Sequence, residues 1–195
     1  MFSGLVQNTS RLVKISKKSG GDKIYISKPK DWKNLKIGES ISMSGMCLSL
    51  KNFDSQTLSF ERSSETIDRT ILNQNLNLER ALKLGDSLGG HLVQGHVDGL
   101  VKLEKIIKKG TYQNWELKLN SKKYGAHIVE KGSITLEGVS LTISKLVSKR
   151  RFQVSLIPLT LQNTSLKFFK SQDFLNFEID IMAKYCIQAV RSQWH

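Results

Sequence analysis

The sequence predicts a mainly β protein written twice, with two small closed barrels in tandem and one helix behind them. Three observations carry this reading. Four sequence blocks recur in the same order along the 195 residues. Each copy consists of short runs in which apolar and polar residues alternate, interrupted by glycine. Only the tail shows the spacing of a helix.

The repeat aligns residue by residue. Laying Phe2–Ile15 over Val93–Ile106 puts Gly4 on Gly95, Val6 on Val97, Lys14 on Lys105 and Ile15 on Ile106. "GESISMSGMCLSL" (38–50) matches "GSITLEGVSLTI" (132–143) with a one-residue gap, so Cys47, Leu48 and Ser49 fall on Ser140, Leu141 and Thr142. "ETIDRTIL" (65–72) and "LTLQNTSL" (159–166) share T-x3-T-x-L, and "LNLE" (76–79) matches "LNFE" (175–178). Displacements of 91 to 99 residues define a tandem duplication of a unit of roughly 90 residues.

The elements follow in order. "MFSGLVQ" lacks a basic region followed by an apolar run, so no signal peptide is expected. Residues 17–36, the densest in charge, read as turns and a short strand. "ISMSGMCLSL" alternates around Ser-Gly and predicts a hairpin; "TLSFER" is a further alternating run, and "NLNLERALKL" is a strand leading into a turn. "GGHLVQGHVDG" (89–99) joins the halves and opens the second, its glycines allowing close backbone approach. "ITLEGVSLTI" is a second hairpin and "FQVSLI" another strand. Short strands at this spacing suggest a small closed barrel in each half. In "IMAKYCIQAVRSQW", Ala183, Ile187, Val190 and Trp194 share one face of a helix, while Lys184, Gln188, Arg191 and Gln193 make the rest polar.

Composition excludes several classes. A hydrophobic content of 39%, with three Trp and eight Phe, is enough for a proper core. No apolar run reaches the roughly 18 residues of a membrane span. The net charge of +13 comes from lysines scattered singly or in pairs, with no basic helical stripe and no aromatic ladder, so no nucleic-acid partner is expected. Cys47 and Cys186 are too few and too far apart for a disulfide framework, which points to the cytosol. His91 and His96 are five apart, on opposite faces of a strand and well apart on a helix. With two other His and two Cys in the chain there is no evident ligand set, and no metal is expected. Taken alone, the stretch also fits a glycine-rich turn with solvent-exposed histidines.

These blocks together resemble riboflavin synthase. "MFSGLVQ" is similar to the family's start, "SGMCLSL" to its first glycine block, and "NLERALKLGDSLGGHLVQGHVDG" to its long central signature. "KGSITLEGVSLTI" resembles its second glycine block and "IPLT" (157–160) its IPHT. The resemblance covers nearly the whole chain. It implies two similar six-stranded antiparallel barrels plus a C-terminal α-helix, with 1–88 and 89–183 as the lumazine-binding barrels and 184–195 as the trimer-assembling helix. It implies a cytoplasmic homotrimer whose active site lies between the N-half of one subunit and the C-half of its neighbour, and leaves an association with lumazine synthase open. The reaction implied is a dismutation of two 6,7-dimethyl-8-ribityllumazine molecules into riboflavin and 5-amino-6-(D-ribitylamino)uracil, without cofactor or metal.

The repeat itself points to His96, because the chemistry distinguishes donor from acceptor and the halves must differ somewhere. The first half has Leu5 at this position, and leucine cannot take a proton. By resemblance His96 assists proton transfer at the lumazine 7-methyl group, or the attack of a nucleophile on the ring. Cys47, with Ser40 upstream, matches a family cysteine near the substrate; it is a nucleophile or acid–base group if activated, and otherwise a small core hydrophobe. Cys47 and Ser49 share a strand face, as do Ser140 and Thr142, and Ser140 joins the catalytic set. Phe2 matches an aromatic packed by the site, and Lys131 a ligand contact or a solvated lysine.

Backbone contacts are implied in two groups. The first half supplies Gly4, Leu5, Val6, Cys47, Leu48 and Ser49, then Glu61, Arg62, Ser63, Ser64, Glu65 and Thr66. The second supplies Gly95, His96, Val97, Ser140, Leu141 and Thr142, then Leu156, Ile157, Pro158, Leu159, Thr160 and Leu161. Leu159 departs from the usual His. The alternative is a binding protein of the same doubled barrel that holds lumazine or flavin as a light-emitting antenna. Retention of His96, Cys47, Ser140 and both contact groups favours the enzyme.

Overall fold

A computed structural model describes residues 1–192. The first repeat forms β1 (Asn8–Lys18), β2 (Gly21–Ser27), β3 (Ser40–Met43), β4 (Met46–Phe53), β5 (Thr57–Ser63), α1 (Ser64–Arg69) and β6 (Asn75–Arg80). The second forms β7 (Gly99–Lys109), β8 (Tyr112–Leu119), β9 (Ser133–Leu136), β10 (Val139–Ser148), β11 (Arg151–Leu156), α2 (Pro158–Asn163) and β12 (Phe174–Ile179), followed by α3 (Ile181–Ser192). Each set of six strands closes into an antiparallel barrel, in the orders β1-β2-β5-β4-β3-β6 and β10-β11-β8-β7-β12-β9. Closure leaves no free strand edge.

Alternation decides which side chains fill each barrel. In β4, Leu48 and Leu50 turn inward while Cys47 and Ser49 turn out; in β10, Leu141 and Ile143 turn inward while Ser140 and Thr142 turn out. The first core gathers Ile24, Ile41, Met43, Phe60 and Leu78, and the second Leu103, Trp115, Phe152, Leu175 and Phe177. Register shifts at Leu12/Lys14 and Leu50/Asn52 recur at Leu103/Lys105 and Ile143/Lys145, so the duplicated bulges bend equivalent strands of both barrels.

The barrels meet around a local two-fold at the hairpin turns Ser44–Gly45 and Glu137–Gly138. A Cβ on Gly45 would lie 3.1 Å from the Gly138 nitrogen, and one on Gly138 2.8 Å from the Gly45 nitrogen. Asn77 donates from Nδ2 to the Glu137 carbonyl at 2.8 Å, and Asn176 from Nδ2 to the Ser44 carbonyl at 3.2 Å. Their Oδ1 atoms accept from the Ser165 and Ile71 N–H groups. The symmetry fails at one side chain: where the first repeat has Ser44, the second buries Glu137 completely.

Two features differ from the sequence reading. The blocks "ETIDRTIL" and "LTLQNTSL" contain short helices, α1 and α2, that alternation could not reveal. Each is six residues long, less than two turns, and is started locally, by the Ser63 hydroxyl accepting from the Thr66 N–H and by Pro158 at the first position. The tail helix begins at Ile181, ahead of the expected 184, and its apolar face is divided. Ala183 packs on the second barrel and Ile187 is half-buried, whereas Met182, Tyr185 and Val190 are exposed. Gln193, Trp194 and the terminal His195 lie outside the described residues.

Candidate active site

The segments ahead of each barrel cross over. The carbonyl of Gly4 accepts from the Ser140 N–H of the second barrel at 2.8 Å, and the carbonyl of Gly95 accepts from the Cys47 N–H of the first barrel at 2.8 Å. Between them Phe2 and Val93 pair as a two-residue antiparallel bridge. Each arm has a glycine because nothing larger fits. A Cβ on Gly4 would lie 2.6 Å from the Ser140 Cβ and one on Gly95 2.6 Å from the Cys47 Cβ, and both glycines have φ near +75 to +79°.

A buried carboxylate clamps each arm. Glu79 accepts from the Ser3 N–H and hydroxyl at 2.7 Å and the Gly4 N–H at 3.0 Å. Glu178 accepts from the backbone N–H groups of Gln94, Gly95 and His96 at 2.7 to 2.9 Å. These are the two glutamates of the repeated "LNLE" and "LNFE". Burial lifts both carboxyls above the ordinary range, and the donors pull against that shift.

The arm therefore carries His96, a residue of the second repeat, to the first barrel. A cavity of about 230 Å³ is lined by Met46, Cys47, Glu65, Thr66, Arg69, Thr70, Gly95, His96 and Val97. A larger cleft of about 610 Å³ shares Cys47 and Thr66 with it and adds Leu48, Ser49, Glu61, Arg62, Ser63 and the β1–β2 turn. The cleft offers hydroxyls, a thiol and charged groups above the buried floor of Leu48. Lys18 and Lys51 both pair with Glu61 at its rim, at 3.2 and 3.5 Å, and hold that exposed carboxyl below its usual range. Ser40 sits opposite Ser49, in the β3–β4 register.

The second constellation surrounds Ser140. Its hydroxyl lies 2.7 Å from Nδ1 of His91, whose Nε2 lies 3.1 Å from the Thr135 hydroxyl. A neutral imidazole supplies one donor and one acceptor, which suits a hydroxyl on each side. Burial lowers the His91 pKa, with Asp180 opposing the shift. A Cβ on Gly90 would lie 2.9 Å from the Ser140 Cβ, so the Gly-Gly pair is what lets His91 approach. Sequence reading missed this role. His91 lies ahead of the aligned blocks, which begin at Val93, so the repeat does not point to it. The available signal was its place directly after two glycines.

The structure regroups the expected residues. Gly95, His96 and Val97 belong with Cys47, Ser49 and Glu61–Thr66 on the first barrel, and Gly4, with Leu5 and Val6 beside it, belongs with Ser140 on the second. This corrects the assignment of each arm to its own half. The reason is geometric: each arm precedes its barrel and reaches across the two-fold. Phe2, Arg62 and Leu156 are buried, so their side chains support the walls. The stretch from Ile157 to Leu161 starts α2, with Ile157 and Leu159 exposed. Lys131 is exposed in a left-handed conformation, φ 64°, and the structure puts it, not Gly132, at the position that Gly38 occupies in the first repeat, so the one-residue gap of the sequence alignment closes. The Lys131 N–H donates to the Ile143 carbonyl as that of Gly38 donates to Leu50. None of Ser140, Thr142 or residues 156–161 lines either first-barrel cavity. Among the described residues no group of three or more His, Cys, Asp or Glu could hold a metal ion, and no helix is long and apolar enough to cross a membrane.

Comparison with known proteins matches each repeat separately. The family model of the lumazine binding domain matches residues 3–81 and again 94–180. The fold and site thus define a doubled lumazine-binding barrel. The riboflavin synthase of Actinobacillus pleuropneumoniae is 34% identical over 193 residues, covering 96% of this chain and 89% of that protein. That of Bacillus amyloliquefaciens is 35% identical, covering 95% and 87%, and that of Mycobacterium tuberculosis is 34% identical, covering 98% and 99%. The chain belongs to the riboflavin synthase family. Among solved structures, LumP complexed with riboflavin superposes with a TM-score of 0.83 at 22% identity, covering 92% of this chain and 99% of LumP. LumP complexed with 6,7-dimethyl-8-(1'-D-ribityl) lumazine gives 0.80 at 21% identity, covering 91% and 98%. At these identities the likeness is one of fold.

Proposed function

We propose that the chain is a riboflavin synthase that dismutates two molecules of 6,7-dimethyl-8-ribityllumazine. A four-carbon unit leaves the donor and joins the acceptor, giving riboflavin and 5-amino-6-(D-ribitylamino)uracil. One observation carries the reading above the rest: the Glu178-clamped arm brings His96 into one cavity with Cys47 and Thr66. An imidazole on a cavity wall can accept the proton released from the lumazine 7-methyl group. Cys47 and Ser49 present hydrogen-bonding groups to the ring from one strand face. His91 orients the Ser140 hydroxyl for the second lumazine.

The reaction joins two identical molecules, so holding them face to face provides much of the acceleration. The Cys47 and Ser140 constellations occupy different barrels of one chain, and among the described residues neither cavity lined by Cys47 includes Ser140. This supports a homotrimer in which the first barrel of one subunit faces the second barrel of its neighbour, with the exposed Met182, Tyr185 and Val190 of α3 available for assembly. The two units are 1–88 and 89–183 in covalent order, although residues 93–97 serve the first barrel. The cytosol, independence of metal and cofactor, and an association with lumazine synthase belong to the same reading. The antenna alternative draws only on likeness of fold.

Mixing the purified chain with the lumazine alone and following riboflavin absorbance tests this. Riboflavin and the pyrimidine should appear in equal amounts. Stable binding without turnover would make the protein a lumazine carrier.

A further inference from the structure

Asp22 and Arg62 face each other across β2 and β5 and both line the larger cleft, yet their side chains are only 6% and 7% exposed. Arg62 Nε donates to Asp22 Oδ1 at 3.2 Å and Nη2 to Oδ2 at 2.7 Å, a bidentate pair. Its other terminal nitrogen donates to the Thr70 hydroxyl at 3.1 Å, and that hydroxyl donates to the Thr66 carbonyl at 2.6 Å. A guanidinium held flat by one carboxylate therefore ties the end of α1 to the barrel wall.

The second repeat builds the same barrel without this tie. Gln113 faces Leu156 across β8 and β11 at the matching positions. Leu156 is fully buried, and Gln113 accepts instead from the Trp115 indole N–H at 2.9 Å. Thr164 still donates to the Thr160 carbonyl at 2.7 Å, so the end of α2 keeps its hydroxyl cap and lacks only the charged link. Burying an ion pair carries a desolvation penalty that a packed apolar residue avoids. Leu156 is the apolar solution at this place in the fold. Barrel closure therefore does not require the pair.

What the pair does control is α1, whose Thr66 lines both cavities and whose Glu65 lines the one holding His96. We propose that the Asp22–Arg62 pair is a positioning and specificity device of the first half-site, fixing α1 so that Thr66 and Glu65 hold one lumazine in a pose that the second half-site does not impose. This rests on the synthase reading above. A reaction that makes one of two identical molecules the donor and the other the acceptor needs its half-sites to differ, and here one half is charge-braced and the other is not. Arg62 acts through α1 and is a positioning residue.

The test places the second repeat's two facing residues in the first, as the double variant Asp22→Gln, Arg62→Leu, with Ile24 standing where the second repeat has Trp115. The expected protein keeps its near-ultraviolet circular dichroism and its cooperative melting, while KM for the lumazine rises about ten-fold or more and kcat changes far less. Thr70→Val, which leaves the ion pair in place and cuts only its link to Thr66, should move KM in the same direction. Unchanged KM in both folded variants would overturn the proposal, as would a double variant that loses its tertiary signal, since the pair would then be structural. Should the wild type make no riboflavin, the synthase reading fails by itself. The same variants are then compared by quenching of riboflavin fluorescence, where the brace predicts about ten-fold weaker binding and equal affinity overturns it.

Discussion

Glu178 holds His96 by its backbone N–H, so the imidazole can be removed without releasing the arm. His96→Ala should lower turnover by about 10²- to 10⁴-fold, the range of a positioned acid–base group, and change lumazine affinity only a few-fold. Equal falls in both would make His96 a binding residue. Cys47→Ser should cost less than about ten-fold in turnover, because a hydroxyl replaces the thiol at the same hydrogen-bonding position; full activity in Cys47→Ala would remove the thiol from the chemistry. His91 gives a pH signature. Its folded pKa lies below the ordinary 6.5, so the unfolded chain binds the extra proton first and stability falls as pH drops below about 6.5. Melting of His91→Gln over that range should show a shallower acid limb, and an unchanged limb would assign the effect elsewhere. His96 and Cys47 were legible in the sequence because reactive side chains stand where the other repeat has an unreactive or different one. His91 was not, since Thr135 and Ser140 lie 44 and 49 residues away.

Among the elements, the arms matter most to the site. Gly95→Ala places a methyl group against Cys47 in a left-handed conformation, a strain of about 1–3 kcal/mol before the steric clash is counted. The arm should lift, carrying His96 out of the cavity, and turnover should fall by more than about 100-fold while the barrels stay folded. Retained activity would mean that His96 does not act from this position. Alternation and the hairpin glycines made the strands readable, and closure followed from the repeat. The crossing of the arms was unreadable, because "FSGLV" and "VQGHV" would look the same packed on either barrel. The crossing shows only in contacts between distant residues, Gly4 with Ser140 and Gly95 with Cys47, while Glu79 and Glu178, at the far ends of their repeats, tie each arm back to its own barrel. Helices α1 and α2 escaped because six residues contain fewer than two helical periods, too few for a recurring face to show.

On the scale of the whole molecule, Glu137 sits at the barrel contact with its carboxyl pushed up to about 8 by burial, the N–H of Asn176 and the hydroxyl of Ser44 opposing. The folded chain thus keeps a proton that the unfolded chain releases near 4.5, and stability declines as pH rises from there to about 8. Glu137→Gln should remove this decline, so that between about pH 5 and 9 the wild type loses about 8–16 °C in Tm relative to the variant. Parallel melting curves would place the proton elsewhere. Deleting 185–195 spares Ala183 and the Lys184–Asp98 ion pair at 2.7 Å, which hold the start of α3 to the second barrel. Both barrels should remain folded, while sedimentation shows monomers and turnover drops steeply. A truncated chain that stays trimeric and active would make the helix dispensable.

The crossed arms also say how such a chain can divide. A single repeat made alone has an arm whose glycine fits a neighbour's β4, while its own Glu79 still holds the arm's backbone at Ser3 and Gly4. Two such copies would satisfy each other through the same exchange, each lending its arm, in an isologous pair that closes on itself. The doubled chain is in this sense a swapped dimer whose subunits have been joined end to end. It should accordingly unfold in one step, with neither barrel melting ahead of the other.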